Sequence, residues 1–579
     1  MNTDICRKYA CLTAVALSSV AAFAQSGDSV ISRNVVVERE FRPIIQHAGK
    51  INTRPAQVET TVEPVEVRFS DFSDTLNTSF NVTTLPASSV TFNRPQLTDG
   101  WLEVGGGWPL TRLDFGYRLR HKKDIIMNLF ARHDGQWGQK TWAESTVGMD
   151  FLKRYSSMEV YFLANGNNTF YTRYGRYFDG DNRLSASFAD FRRADKQHIW
   201  EVNTAVGLRS RAKEGFQYRA QTGYTAFILP SVTSEHIVRT YLDLAWKGDP
   251  HTVGGHIFVQ NAFYTLDKTQ TLPAGETFNS RHAIRLEPYY EYEEVHWRVH
   301  TGVNIDLNIG KGRLLSANDN ISFAPSPNIN IEYRIIPSWL ALYVDAKGCF
   351  GFGTLQAYMN SNPYMQPVPG ITSHHVSSYM PVEASLGMKI KPVSTLFMNI
   401  YGRFAHLRNQ NTFCAPTLAQ IKDTLDTWLD YYYSDYNRWT VGAEFTWHYQ
   451  DIVHILLAGN WFYWQQLNIE APEDINYDPR AAYDRPSWDL HLRVDANINS
   501  KWSLYSDNIF AGGCKALLAD GSSADLKPRI DLRLGVRYNI NRWLYCYAQL
   551  NNFIHRHNDI FYGYQSQGIN GMVGIRWQF

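Results

Sequence analysis

The sequence predicts an all-β fold: a transmembrane antiparallel β-barrel of roughly 22–24 strands with an N-terminal periplasmic extension. Three observations carry this: segments of about ten residues alternating apolar and polar side chains, an export leader, and an amphipathic last strand ending on Phe579. Composition agrees with that class. Aromatic residues make up 14% of the 579 residues and charged residues only 19%, which disfavours a coiled coil, a disordered chain or a disulfide scaffold.

The first element is the leader. Arg7 and Lys8 precede an apolar stretch from Tyr9 to Ala22, and Ala22-Phe23-Ala24 before Gln25 has the small-x-small form of a signal-peptidase site. Residues 1–24 are therefore read as a signal peptide. Its removal takes away Asp4, Arg7 and Lys8 and leaves a formally neutral chain, with no global field to attract nucleic acid. Cys11 sits inside the apolar run rather than after it, which argues against a lipidated N-terminus. Beyond the leader no run of about 18 apolar residues occurs, so a transmembrane helix is not offered. Four cysteines remain, Cys349, Cys414, Cys514 and Cys546, and none has the C-x-x-C spacing of a zinc site. Export permits a disulfide; Cys414 and Cys514, in predicted loops, are the first candidates, and the sequence leaves their state open.

Residues 25–98 form the second element. Pro43, Pro55, Pro64, Pro86 and Pro95 interrupt it, and the charged cluster Glu38-Arg39-Glu40-Phe41-Arg42 and the basic stretch from Lys50 to Arg54 add polar spacing. An independent packed core is not expected from such a segment. It reads as an extended periplasmic arm, long enough to enter a barrel lumen.

From residue 99 to 579 the period is two. In Arg529 to Ile540, Ile530, Leu532, Leu534, Val536, Tyr538 and Ile540 alternate with Asp531, Arg533, Gly535, Arg537 and Asn539. Trp488 to Ile498 and Trp297 to Ile309 alternate in the same way. One face is apolar and the other wet, as a lipid-facing and lumen-facing strand requires. Short turns are followed repeatedly by tryptophan, at Trp297, Trp339, Trp502 and Trp543, which marks one of the two aromatic girdles. Connections fall into a short set, near Lys153-Arg154, Glu293-Glu294, Ile335-Pro337, Lys391-Val393, Tyr449-Asp451, Asn499-Lys501 and Asn541-Arg542, and a long set. The long loops run over about Thr265–Asn279, Gly351–Ser378, Arg408–Asn437, Gln465–Pro486, Cys514–Asp525 and His555–Gly568. Short turns belong to the periplasm and long loops to the outside, so both termini are periplasmic and the strand number even. Counting Thr169–Tyr177 as a strand gives the higher number; misreading one early hairpin gives the lower.

The last strand resembles the C-terminal signature of outer-membrane barrels, in which Trp577 and Phe579 would present the signal read by the barrel-assembly machinery. With its leader, arm and large barrel, the whole chain resembles the TonB-dependent receptor superfamily. The nearer likeness is to its plug-poor relatives of the Bacteroidetes type, on the arm Val35-Val36-Val37-Glu38-Arg39-Glu40-Phe41-Arg42-Pro43. The resemblance implies an outer-membrane location and solute uptake. It departs in one respect: about 75 proline-interrupted residues are too few for a folded plug domain.

Candidate sites are few. Trp428, Asp430, Tyr431, Tyr432, Tyr433, Asp435 and Tyr436, read as part of an external loop, combine aromatic faces with carboxylates and suit stacking and hydrogen bonding to a sugar-like or peptide ligand. Self-packing of the same loop is the competing reading. His374-His375 lacks a carboxylate or cysteine at a ligating spacing, and His251, His256, His282, His296 and His300 form no nucleophile-base set. Gly105-Gly106-Gly107 is followed by Trp108-Pro109 rather than a helix, so bending of a strand is its expected role. The reading is a pore or receptor for solute uptake, not an enzyme, with no cofactor or metal and with membrane lipid, the assembly machinery and other outer-membrane or periplasmic proteins as partners. Its rival is a barrel that no longer transports and serves as a structural subunit of an outer-membrane assembly or secretion complex.

Overall fold

A computed structural model describes residues 100–122, 124–138, 140–172, 196–268, 280–309, 321–365, 377–417, 429–450, 452–470, 478 and 481–579. The expected leader and arm, His374-His375 and Trp428 fall outside the described residues. Twenty-two antiparallel strands pair in chain order from Gly100–Trp108 to Asn570–Gln578, and the last pairs with the first over Trp101↔Gln578 to Trp108↔Gly571. The sheet is closed. Gly100 N–H donates to Phe579 O (2.8 Å) and Phe579 N–H to Gly100 O (2.9 Å), so even the terminal residues complete the ladder. Closure satisfies every strand edge, which a wall immersed in lipid requires.

The strand number is the lower of the two expected. Of the strand expected over Thr169–Tyr177, Thr169–Thr172 is the upper end of strand Met158–Thr172, which pairs directly with Lys196–Ser210 and leaves no room for a further barrel strand between them; residues 173–177 lie outside the described residues. Side-chain alternation is as read. Leu534 and Trp577 are exposed on the outer wall, whereas Arg533 and Arg537 are buried in the lumen. The lumen wall is bound across strands by ion pairs: Arg112–Asp134 (2.7 Å), Arg209–Glu159 (2.6 Å), Arg285–Asp306 (2.7 Å) and Arg576–Glu103 (3.2 Å). Aromatic rings lie across glycines of the next strand; a Cβ on Gly387 would meet the Tyr343 ring at 2.3 Å. In the glycine triplet of the first strand, a Cβ on Gly107 would lie 2.1 Å from Gly571 O, so the need there is close strand approach.

Three long loops differ from expectation. Strands Leu396–Ala415 and Asp430–Tyr449 stay paired up to Cys414↔Asp430, so most of the loop expected over Arg408–Asn437 is strand. Above the lipid both faces of these strands are covered by neighbouring loops, and the two-residue alternation that marks a strand fades there. The Gly351–Ser378 loop contains a helix, α1, Leu355–Ser361. The Cys514–Asp525 loop contains a short hairpin, Lys515–Leu518 with Ser523–Asp525, whose first strand runs parallel to Cys414–Ala415. All four described cysteines are free thiols, so the Cys414–Cys514 pairing is not formed.

Candidate functional site

The mouth at the long-loop end is where the chain departs from a plain tube. α1 begins at Thr354, whose Oγ1 accepts the Ala357 N–H (3.1 Å), and its apolar residues Leu355, Tyr358 and Met359 are spaced to share one face. That face packs into one apolar cluster with Tyr171, Ile199, Phe227 and Leu229 on one wall and Phe413, Leu429 and Tyr433 on the wall opposite. The first four residues come from the fifth to seventh strands and the others from around the fifteenth and sixteenth, so the segment from Thr354 to Met365 bridges the mouth. Tyr364 stacks on Tyr564 of the last loop (ring centroids 4.0 Å), and Phe413 meets Phe561 edge-on (5.3 Å). The result is a roof.

Polar bonds fix the roof to the lumen wall. Glu235, 0% exposed, accepts the Leu355 N–H (3.0 Å) and the Gln356 N–H (2.9 Å), two of the first-turn donors that a helix leaves unbonded. Arg239 donates to Gln356 Oε1 (2.9 Å), and Arg281 to Gly353 O (2.7 Å) and Ser377 Oγ (3.1 Å). Tyr358 and Tyr433 share a hydroxyl bond of 2.7 Å, and Tyr171 Oη donates to Pro363 O (2.8 Å). Beneath the roof lies a cavity of about 480 Å³ lined by Arg239, Gln260, Arg285, Asp306, Phe350 and Gln356. A second, of about 130 Å³, lies under the last loop among Arg112, Asp134, Asp484, Arg529, Phe561 and Met572.

A separate latch closes the loop that precedes strand Trp488–Asn497. Asp484 Oδ2 accepts the Phe413 N–H (2.9 Å), while Arg485 donates to Asn411 O (3.1 Å) and lies over the Tyr436 ring (4.6 Å). Desolvation in its half-buried site pushes the Asp484 carboxyl up to about 7, against the opposing pull of the Phe413 N–H and Arg485.

The expected ligand-contact residues are drawn into this architecture. Tyr433 belongs to the roof cluster; Tyr436 is 0% exposed and shares a bond with Thr412 Oγ1 (3.0 Å); Asp435 Oδ1 accepts the Asn409 N–H (2.8 Å). Tyr432 packs against the small apolar cluster that contains Cys414 and Leu517, and Asp430 is exposed. All six from Asp430 onward lie on strand Asp430–Tyr449 rather than in a loop. At the other end of the barrel Trp577 and Phe579 lie together (4.9 Å) on the outer wall beside the closing strand pair. His256 and His300 flank Tyr289 in the lumen (4.8 and 5.3 Å), whereas His251 and His282 face outward; among the described residues no group of metal-ligating side chains is assembled. Sequence reading missed Glu235, Arg281 and α1. The run Thr354-Leu355-Gln356-Ala357-Tyr358-Met359, a cap followed by apolar residues at helical spacing, was the available sign.

No protein-family profile and no curated protein sequence matches the chain. Solved structures do. The ferric enterobactin receptor PfeA of Pseudomonas aeruginosa, as a double mutant, superposes with a TM-score of 0.58 at 11% identity over 83% of this chain and 80% of its own. The siderophore receptor PiuA of Acinetobacter baumannii gives 0.61 at 8% identity, over 84% and 82%. The copper transporter OprC gives 0.60 at 10% identity, over 83% and 80%. At such identities the likeness is one of fold. A closed barrel of this build, apolar outside and charged within, is an outer-membrane barrel.

Proposed function

We propose that the protein is an outer-membrane receptor for solute uptake whose entrance is closed at rest, in preference to an open pore. The roof supports this reading. A diffusion pore needs a continuous wet path, whereas here an apolar cluster joins opposite walls of the mouth beside a polar cavity of the lumen. The fold likeness to siderophore receptors and a copper transporter points the same way and extends to metal chelates as the solute class to try first. In biogenesis the terminal Trp577 and Phe579 would be presented to the assembly machinery before they pack at the seam.

The test is conductance. Gly351 and Ser378 are register partners, so residues 353–376 can be replaced by a two-residue Asn-Gly turn without separating the strands. In planar bilayers the full chain should show little current and the shortened one a large, steady current. Little current from both would overturn the gated-entrance reading. It would favour the structural-subunit alternative, provided that a stoichiometric protein partner is recovered from native membranes.

A further inference from the structure

Five histidines stand on the outer wall at its extracellular end, where neither the roof nor the lumen uses them. Register and alternation place them. His236 tops the outward row Val238, Leu244 and Trp246 on strand Thr233–Lys247, and His282 tops Leu286 and Tyr290 on Arg281–Glu293. His198 lies one outward position above Trp200 and Val202, His406 above Phe404 and Ile400, and His133 above Ala131 and Leu129. Each imidazole therefore stands at the upper end of its own strand's outward apolar row, level with the last apolar residues of the neighbouring strands, such as Phe263 opposite His236 and Ile309 opposite His282. That is the depth of the outer-leaflet headgroups.

Four of the rings are held in one manner. Nδ1 shares a hydrogen bond with a polar side chain of the adjoining strand: His133 with Ser145 Oγ (2.8 Å), His236 with Tyr224 Oη (2.7 Å), His282 with Asn261 Oδ1 (2.7 Å) and His406 with Asn437 Oδ1 (2.9 Å). His198 instead packs on Phe170 (4.8 Å). A merely solvated girdle would not need the ring fixed. Here a cross-strand partner orients each of the four, and the His282 ring also meets Phe263 edge-on (5.9 Å); Nε2 is left for another group, with His133 Nε2 also near Thr111 Oγ1 at 3.5 Å. In a headgroup layer the strong acceptor within reach is a phosphate oxygen, and an imidazolium beside it forms a charge-assisted bond.

We propose that these histidines form a binding arc for phosphate-bearing headgroups of outer-leaflet lipid, fastening the barrel at a set depth. The inference is independent of what the lumen carries. The experiment uses the full chain, purified in detergent and delipidated, with native mass spectrometry to count bound lipid. The probes are bis-phosphorylated lipid A and the same lipid stripped of phosphate, so the acyl chains are matched. The wild-type protein should retain the phosphorylated form with a preference of about tenfold, the scale of one or two charge-assisted bonds. Replacing His133, His236, His282 and His406 by Gln should bring the ratio near one, and replacing the same four by Arg should restore it. The lumenal pair His256→Gln and His300→Gln should leave it unchanged. If the Gln protein fails to assemble, the Arg protein decides alone, by keeping or losing the preference. Equal retention of both lipids by the wild type, an undiminished preference in the Gln protein, or displacement of the lipid by millimolar inorganic phosphate would each overturn the proposal.

Discussion

At the residue scale the environment on either side of the wall decides what a substitution costs. Leu386 is 63% exposed on the outer face midway along strand Ser378–Val393, whereas Arg219 lies in the lumen beside Gln221 (3.4 Å). Leu386→Arg should therefore cost about 2–4 kcal/mol of membrane stability, while Arg219→Leu should cost less than about 1 kcal/mol. Urea titration of folded barrel in vesicles measures both, and equal losses would contradict the assignment of faces. Asp484 supplies a pH effect. Its folded value near 7 exceeds the ordinary 3.8, so the latched loop binds a proton that the released loop does not over that interval. Anchoring is thus firmest near pH 4, weakens as pH rises toward 7, and is flat above. Protease cleavage of the loop around 481–487 should accelerate from pH 5 to pH 7.5, and Asp484→Asn should remove the trend. Which residues face lipid was legible in the sequence because alternation states it directly. The latch was not, because a half-buried aspartate in a loop looks like any solvated one until its cover is known.

At the element scale, strands are set by local pattern and the roof by distant partners. α1 has a cap and an apolar face of its own, yet only seven residues, too few to persist alone. Its persistence rests on Glu235, some 120 positions away in the chain. Glu235→Ala would strip the buried Leu355 N–H of its acceptor, at about 1–3 kcal/mol, and the part-buried Gln356 N–H at less. The expected result is cleavage of residues 353–365 by added protease in intact cells, with Glu235→Gln intermediate because one amide oxygen replaces two carboxylate oxygens. Resistance equal to wild type would remove Glu235 as the anchor. The alternation of short and long connections assigns the two ends of the barrel to opposite sides of the membrane, and that assignment has a direct check. An epitope after Ser522, exposed at the tip of the small hairpin, should bind antibody on whole cells, and one after Asn541 should not. Loop interiors escaped the reading because side chains that pack on a neighbouring loop obey no period of their own strand.

At the scale of the whole molecule two kinds of cohesion coexist, and they should separate under stress. The barrel is held by a closed ladder in which each strand pairs with two others, down to the reciprocal bonds of Gly100 and Phe579; opening it anywhere in lipid exposes unpaired backbone groups at several kcal/mol each. The roof is held by one apolar cluster and a handful of polar anchors, and its release exposes side chains and helix ends to water, where both are tolerated. Local opening free energies in one protein span this range, and segments that must move belong to the lower end. The roof should therefore loosen well before the barrel. In a heating series, protection of the Leu355–Ser361 amides against hydrogen exchange should vanish while the barrel still migrates as a compact species on electrophoresis. The protein with residues 353–376 replaced by the short turn should keep the barrel transition within a few degrees of wild type. If roof and barrel instead melted together, or if the replacement prevented assembly, the roof would be part of the barrel's own core and could not open at rest-state cost to admit a solute.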